Sequence, residues 1–251
     1  MASGAEAAPG YHGKLPAKGD FVTRRLPRGF LDPWDSWLQD AIGGSRARMG
    51  EAWLDAYLTS PIWRFALSPG LCGEAAVAGV VMPSVDRVGR YFPLTIVALL
   101  ADGTDPLAVP VDAAGWFDKA EDLVRSALAD AFDFDGFDAQ VAALGPPAVG
   151  EAGSADAAAA METPSGLRVA ISSATAVDRA YRRLVARSVI ASYPQPSLWW
   201  SSGSHDIAAT LLICKGLPSA EGFAAFLDGR WSAWGWDEPA PAALPVAATA
   251  S

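Results

Sequence analysis

The chain has 251 residues, 51% of them hydrophobic, with a formal net charge of −9 and two cysteines. That is apolar material for one large domain or two small ones, while Cys72 and Cys214 form neither a disulfide framework nor a CxxC metal pair. Residues 1–100 hold ten Lys/Arg against nine Asp/Glu and residues 101–251 nine against nineteen, an acidic balance that argues against nonspecific binding to nucleic acid or to anionic membranes.

No apolar run approaches the roughly 18 to 20 residues that cross a bilayer, and the first residues lack the basic and apolar regions of a secretory leader. A cytoplasmic protein without direct membrane insertion is expected. After about nine residues expected to be disordered, "YHGKLPAKGDF" (residues 11–21) predicts a short strand and a tight Pro/Gly turn. Asp32 as N-cap and Pro33 at the first helical position open a helix in which Trp34, Trp37, Leu38 and Ile42 share a face, running to about Gly43. "SRARMGEAWLDAYL" adds a second helical piece. Apolar runs at 62–68, 75–82 and 93–100 follow with connections too short for parallel crossovers, so an antiparallel meander is expected.

Residues 112–132 predict an amphipathic helix, with Trp116, Ala120, Leu123, Ala127 and Ala131 on one side and Phe117, Val124 and Leu128 beside them. A shorter helix is expected over 135–144. The Pro-, Gly- and Ala-rich stretch at about 145–165 reads as an extended or disordered loop. Beyond it come a strand at 167–172 and a helix at 176–190, capped by Thr175 and Asp178, with Val177, Tyr181, Leu184 and Val185 as its apolar face. Strands at 197–203 and 209–216 flank the turn "SHDI", a helix covers 219–227, and the tail 238–251 is expected to be disordered. These elements describe a single domain over residues 10–237. Its class is α/β, a layered sandwich with a largely antiparallel or mixed sheet covered by helices and no Rossmann order.

Neither GxxxxGK[ST] nor GxGxxG occurs, which excludes P-loop nucleotide chemistry, and no cofactor is expected. His12, His205 and the two cysteines have no metal-ligand spacing, so no metal is expected. "SSGSHD" (201–206) places serine, histidine and aspartate together, but triad members converge from separate elements, and the stretch reads as a hairpin turn. Core packing explains two stretches poorly: "GKLPAKGDFVTRRLPRGF" (13–30) and "MPSVDRVGRYFPLT" (82–95), which set charges among turn residues.

The residues leave several roles open for these charges. In one, Asp86 caps its own loop while Arg87 or Arg90 pairs with Asp20, a buried network that fixes how the N-terminal turn meets the sheet. In another, Lys14, Asp20, Arg24, Arg25, Asp86, Arg87 and Arg90 form a recognition surface for an acidic or phosphorylated partner. In a third, Ser84, Asp86 and His12 line a hydrolase or transferase cleft between the two stretches. A further alternative gives binding to the acidic helical region around 116–138.

"GYHGKLPAKGDFVTRRLPRGFLDPWDSWLQ", "WLDAYLTSPIWRFALSPGLCG", "AGVVMPSVDRVGRYFPLT" and "SLWWSSG" together resemble the TagF family, also called ImpM, of bacterial type VI secretion systems. The likeness covers most of residues 10–236 and is densest before residue 100. It implies a cytoplasmic accessory protein without known enzymatic activity. Such a protein is a negative regulator that acts after translation to restrain assembly or firing of the secretion machine, with a forkhead-associated scaffold protein of the apparatus as partner. The family supplies no catalytic residues to carry over, and homo-oligomerisation stays open.

Overall fold

The structure is a computed structural model that describes residues 8–149, 161–163, 166–168 and 177–236. The expectations for residues 1–7, for 150–160 of the loop, for Thr175 as a cap and for the tail fall outside the described residues. At the centre is a seven-stranded open sheet. Its strands are β1 (Gly10–Lys14), β2 (Phe21–Arg24), β3 (Trp63–Leu67), β4 (Val77–Met82), β5 (Leu94–Leu99), and, after two short strands introduced below, β8 (Pro196–Ser201) and β9 (Thr210–Lys215), in the order β2-β1-β5-β4-β3-β8-β9. Every neighbouring pair is antiparallel. The expected meander is β3-β4-β5.

Helices cover both faces. On one face, α1 (Arg28–Met49), α2 (Trp53–Thr59) and α7 (Ala225–Asp228) pack Trp34, Leu38, Tyr57 and Phe226 against Phe65, Val97 and Trp199. On the other, α3 (Val109–Asp112), α4 (Ala114–Ser126) and α5 (Phe134–Ala143) pack Phe117, Val124 and Val141 against Val80, Ile96 and Leu198. A strand buried on both sides must be apolar at every position rather than at alternate ones. That is why β4 and β5 appear as continuous runs. The consecutive tryptophans divide between the layers: Trp199 stacks with Trp34 at 6.1 Å, and Trp200 meets Phe117 edge-on at 4.7 Å.

Several boundaries differ from expectation. Asp32 does not cap α1; Pro27, with φ of −71°, precedes it, and its carbonyl accepts from the N–H groups of Phe30 and Leu31, leaving Pro33 inside the helix. Nor does the helix stop at Gly43, because Gly44 lets it approach Ala220 and Ser45 is buried as the acceptor for the Trp53 indole N–H. It ends at Gly50, whose φ of 57° suits glycine. The 112–132 helix breaks after Ser126 into tight turns, and Asp133 caps α5 through the Asp135 N–H.

Inside the expected 145–165 loop lies β6 (Met161–Thr163), which pairs with β7 (Gly166–Arg168) as a separate two-stranded sheet; the strand expected at 167–172 is represented there by residues 167 and 168, and 169–172 fall outside the described residues. Helix α6 (Val177–Ser192) forms, but Tyr181 and Val185 of its expected apolar face are exposed. The 201–206 stretch is a hairpin turn, with the Ser201 hydroxyl accepting from the Gly203 N–H. Among the described residues, no helix is long and apolar enough to cross a membrane.

Candidate functional site

The two charged stretches meet at one corner. Strand β1 pairs with β5 as far as His12 opposite Thr95. Gly13 then adopts a φ of +138°, and a Cβ there would lie 2.0 Å from the Pro93 carbonyl oxygen, so only glycine lets the strand pass this close. The passage delivers Lys14 to the loop between β4 and β5, where its ammonium pairs with Asp86 at 2.5 Å. Lys14 is 4% exposed and Asp86 3%.

Asp86 organises its own loop. Oδ1 accepts from the N–H groups of Val88 and Arg90, at 3.0 and 2.9 Å, and Oδ2 accepts from the Arg90 guanidinium at 2.7 Å as well as from Lys14. Burial by itself would raise this carboxyl, but the Lys14 ammonium and the Arg90 and Val88 donors together hold it well below the usual carboxylate range. The loop is also stitched to the hairpin turn: the Arg87 N–H donates to the Lys18 carbonyl at 3.0 Å and Arg90 to the Gly19 carbonyl at 2.6 Å. Ser84 ties both to α2, since its hydroxyl donates to the Lys14 carbonyl and its backbone exchanges two hydrogen bonds with the Tyr57 hydroxyl.

The expected cap by Asp86 is present. The expected pairing of Arg87 or Arg90 with Asp20 is not; Asp20 accepts from the adjacent Phe21 N–H, and Arg90 turns to Asp86, where buried charge has the greater need of a partner. Arg25, at a φ of 57°, pairs with Asp138 and donates to the Pro9 carbonyl, tying the end of β2 to α5. Burial raises the Asp138 carboxyl, and Arg25, with Tyr11 and Arg24, more than offsets this to hold it low. Arg24, Arg87 and Arg90 are exposed.

Ser84, Asp86 and His12 are not joined by hydrogen bonds. The His12 ring nitrogens face Thr23 at 2.8 Å and Asp35 at 3.1 Å, while the Ser84 hydroxyl is spent on a backbone carbonyl. Among the described residues no group of three or more His, Cys, Asp or Glu is placed to hold a metal ion.

The corner also contains residues outside the expected set. Lys18 lies 4.5 Å and the Arg24 guanidinium 5.5 Å from the ring centroid of Phe134. With β2 they line an open depression of about 300 Å³. Phe134 belongs to α5, more than a hundred positions from the hairpin, and no local pattern announces that meeting. Lys18 and Phe21 do lie within the charged stretch itself.

Residues 10–144 match the family model described as the TagF N-terminal domain, type VI secretion system-associated. The chain belongs to the TagF family. The matched segment contains the whole corner, from β1 through α5. The fold is also similar to the crystal structure of PA0076 from Pseudomonas aeruginosa PAO1, with 38% identity and a TM-score of 0.76 over 95% of this chain and 100% of that one. A comparison with curated proteins finds no match. The chain is thus a type VI secretion-associated protein of α/β fold.

Proposed function

We propose that this TagF-family protein acts in the cytoplasm, without catalysis, as a negative regulator that restrains the secretion machine after translation by binding a forkhead-associated scaffold component. The contact face is the corner where the β1–β2 hairpin meets the 83–93 loop. Arg24, Arg87 and Arg90 touch the partner, Asp20 lies on the rim, and the buried Lys14–Asp86 pair and the surface Arg25–Asp138 pair fix the backbone that presents them. One observation carries the reading: a buried ion pair and two loop-to-turn hydrogen bonds hold exposed cations from both characteristic stretches on one ordered corner. Loops held this rigidly lose little entropy on binding.

The test is affinity purification of the tagged full chain from its own bacterium, with mass spectrometry of what accompanies it. The scaffold component should be recovered with the native protein and lost with Arg87→Glu. The Arg87 side chain makes no ion pair among the described residues, so the variant should keep the native melting temperature. Recovery of the scaffold at native level by a folded Arg87→Glu protein would remove this corner from the contact.

A further inference from the structure

The corner holds more cations than its internal network uses. Lys14 and Arg90 pair with Asp86, and Arg25 with Asp138. Among the described residues, no carboxylate forms an ion pair with Lys18, Arg24 or Arg87. Lys18 and Arg24 stand over the single ring of Phe134 and, with Asp20, line the same depression, which follows β2 from one end to the other; Arg24 also donates to the Thr23 carbonyl and helps to hold the Asp138 carboxyl low. A cation resting on an aromatic face is already placed before a ligand arrives, so less side-chain freedom is lost when one binds.

The chemistry of the ligand follows from three features. With a net charge of −9, the chain as a whole repels an acidic molecule, and a local group of cations that hold no carboxylate in an ion pair sets where one can dock. The depression runs the length of the four-residue strand, about 13 Å at the usual rise per residue, while its two cations converge over Phe134, so an extended peptide that sets carboxylates at that ring fills it better than one phosphate group. Finally, part of the strand edge is already engaged: the Phe21 N–H donates to the Asp20 carboxylate, and the Thr23 carbonyl accepts from Arg24. Charged side chains commonly blunt edges in this way.

We infer that the depression along β2 seats an extended, Asp/Glu-bearing segment of the protein partner, recognised by side chains and not by addition of a strand to the sheet. Its carboxylates pair with Lys18 and Arg24, and its apolar groups rest on Val22 and Phe134. This rests on the proposed function for the partner's class, whereas the site and its chemistry stand on the geometry above.

The test uses a fluorescein-labelled peptide of about twelve residues with Glu at alternate positions and Ala or Val between, titrated with the full chain at low salt and followed by fluorescence anisotropy. It should bind roughly tenfold more tightly than its Gln counterpart, and N-methylation of alternate amides should change binding by no more than about twofold. The double variant Lys18→Glu/Arg24→Glu, checked for a native circular-dichroism spectrum and melting midpoint, should bind roughly tenfold more weakly, and Arg48→Glu on α1 should bind as the native chain does. Equal binding of the Glu and Gln peptides, or an unaffected double variant, overturns the inference; loss of binding on N-methylation overturns recognition by side chains in favour of strand addition. Scaffold recovery separates the two readings. Native-level recovery by the double variant sinks the inference and spares the proposed function, while a native chain that binds the Glu peptide without recovering the scaffold does the reverse.

Discussion

Asp86 has no exposed side-chain surface, and its two oxygens accept from two cations and two backbone N–H groups. A buried charge in this position is costly to leave half-paired. Lys14→Met should therefore lower the unfolding midpoint on the order of 10 °C, measured by calorimetry. Adding Asp86→Asn should restore part of that loss, because the amide oxygen still serves the Val88 and Arg90 N–H groups while the half-paired charge is gone. A double variant no more stable than Lys14→Met would show that the pair is not coupled. The pH dependence has a definite sign. The folded-state pKa of Asp86 lies below its unfolded value, so its stabilisation is complete above about pH 4 and is lost as the pH falls further. The gap in midpoint between native protein and Asp86→Asn should be constant from pH 7 to 5 and should close in more acid solution.

Within the sheet, Gly79 sits between Phe65 and Val97 in the central strands. A Cβ there would lie 2.5 Å from both the Ile96 carbonyl oxygen and the Phe65 ring, and Trp34 stacks on that ring at 4.6 Å. Gly79→Ala should thus destabilise by about 2–3 kcal/mol, read from denaturant unfolding, and should perturb tryptophan fluorescence because the displaced ring moves against Trp34. A near-native midpoint with unchanged fluorescence would mean that the aromatic layer yields freely. The elements legible in the sequence were those whose pattern is local: the apolar runs of β3 to β5, the amphipathic face of α4, and the hairpin turn at 201–206. The illegible ones depend on distant partners. Gly43 looks like a helix stop until Ala220 packs on the neighbouring Gly44, and the four residues of β2 looked like turn because their strand character comes from pairing with β1. For the site, the charged stretches were visible as anomalies and the cap by Asp86 followed from its position. The Lys14–Asp86 pair and the role of Phe134 needed the fold to bring together residues 72 or more positions apart.

Across the whole molecule, one layer of side chains joins both ends of the chain: Trp34 and Tyr57 from the first half share a core with Trp199, Cys214 and Phe226 from the second. If that layer is one cooperative unit, its two thiols report on it. Cys72, in the loop before β4, and Cys214, in the edge strand β9, are both buried, and burial pushes each thiol up to about 12. For Cys214 a hydrogen bond to Ser197 only partly offsets this. At pH 8 neither thiol should react with an aromatic disulfide reagent in the native protein except through opening of the fold. Both should then be labelled at one rate, accelerated equally by denaturant and matched to global unfolding measured by circular dichroism. A Cys214 that reacts early, at a rate indifferent to denaturant while Cys72 stays protected, would show that β9 opens by itself. The sheet would then divide into a firm half, which carries the charged corner, and a looser half built from β8, β9 and α7.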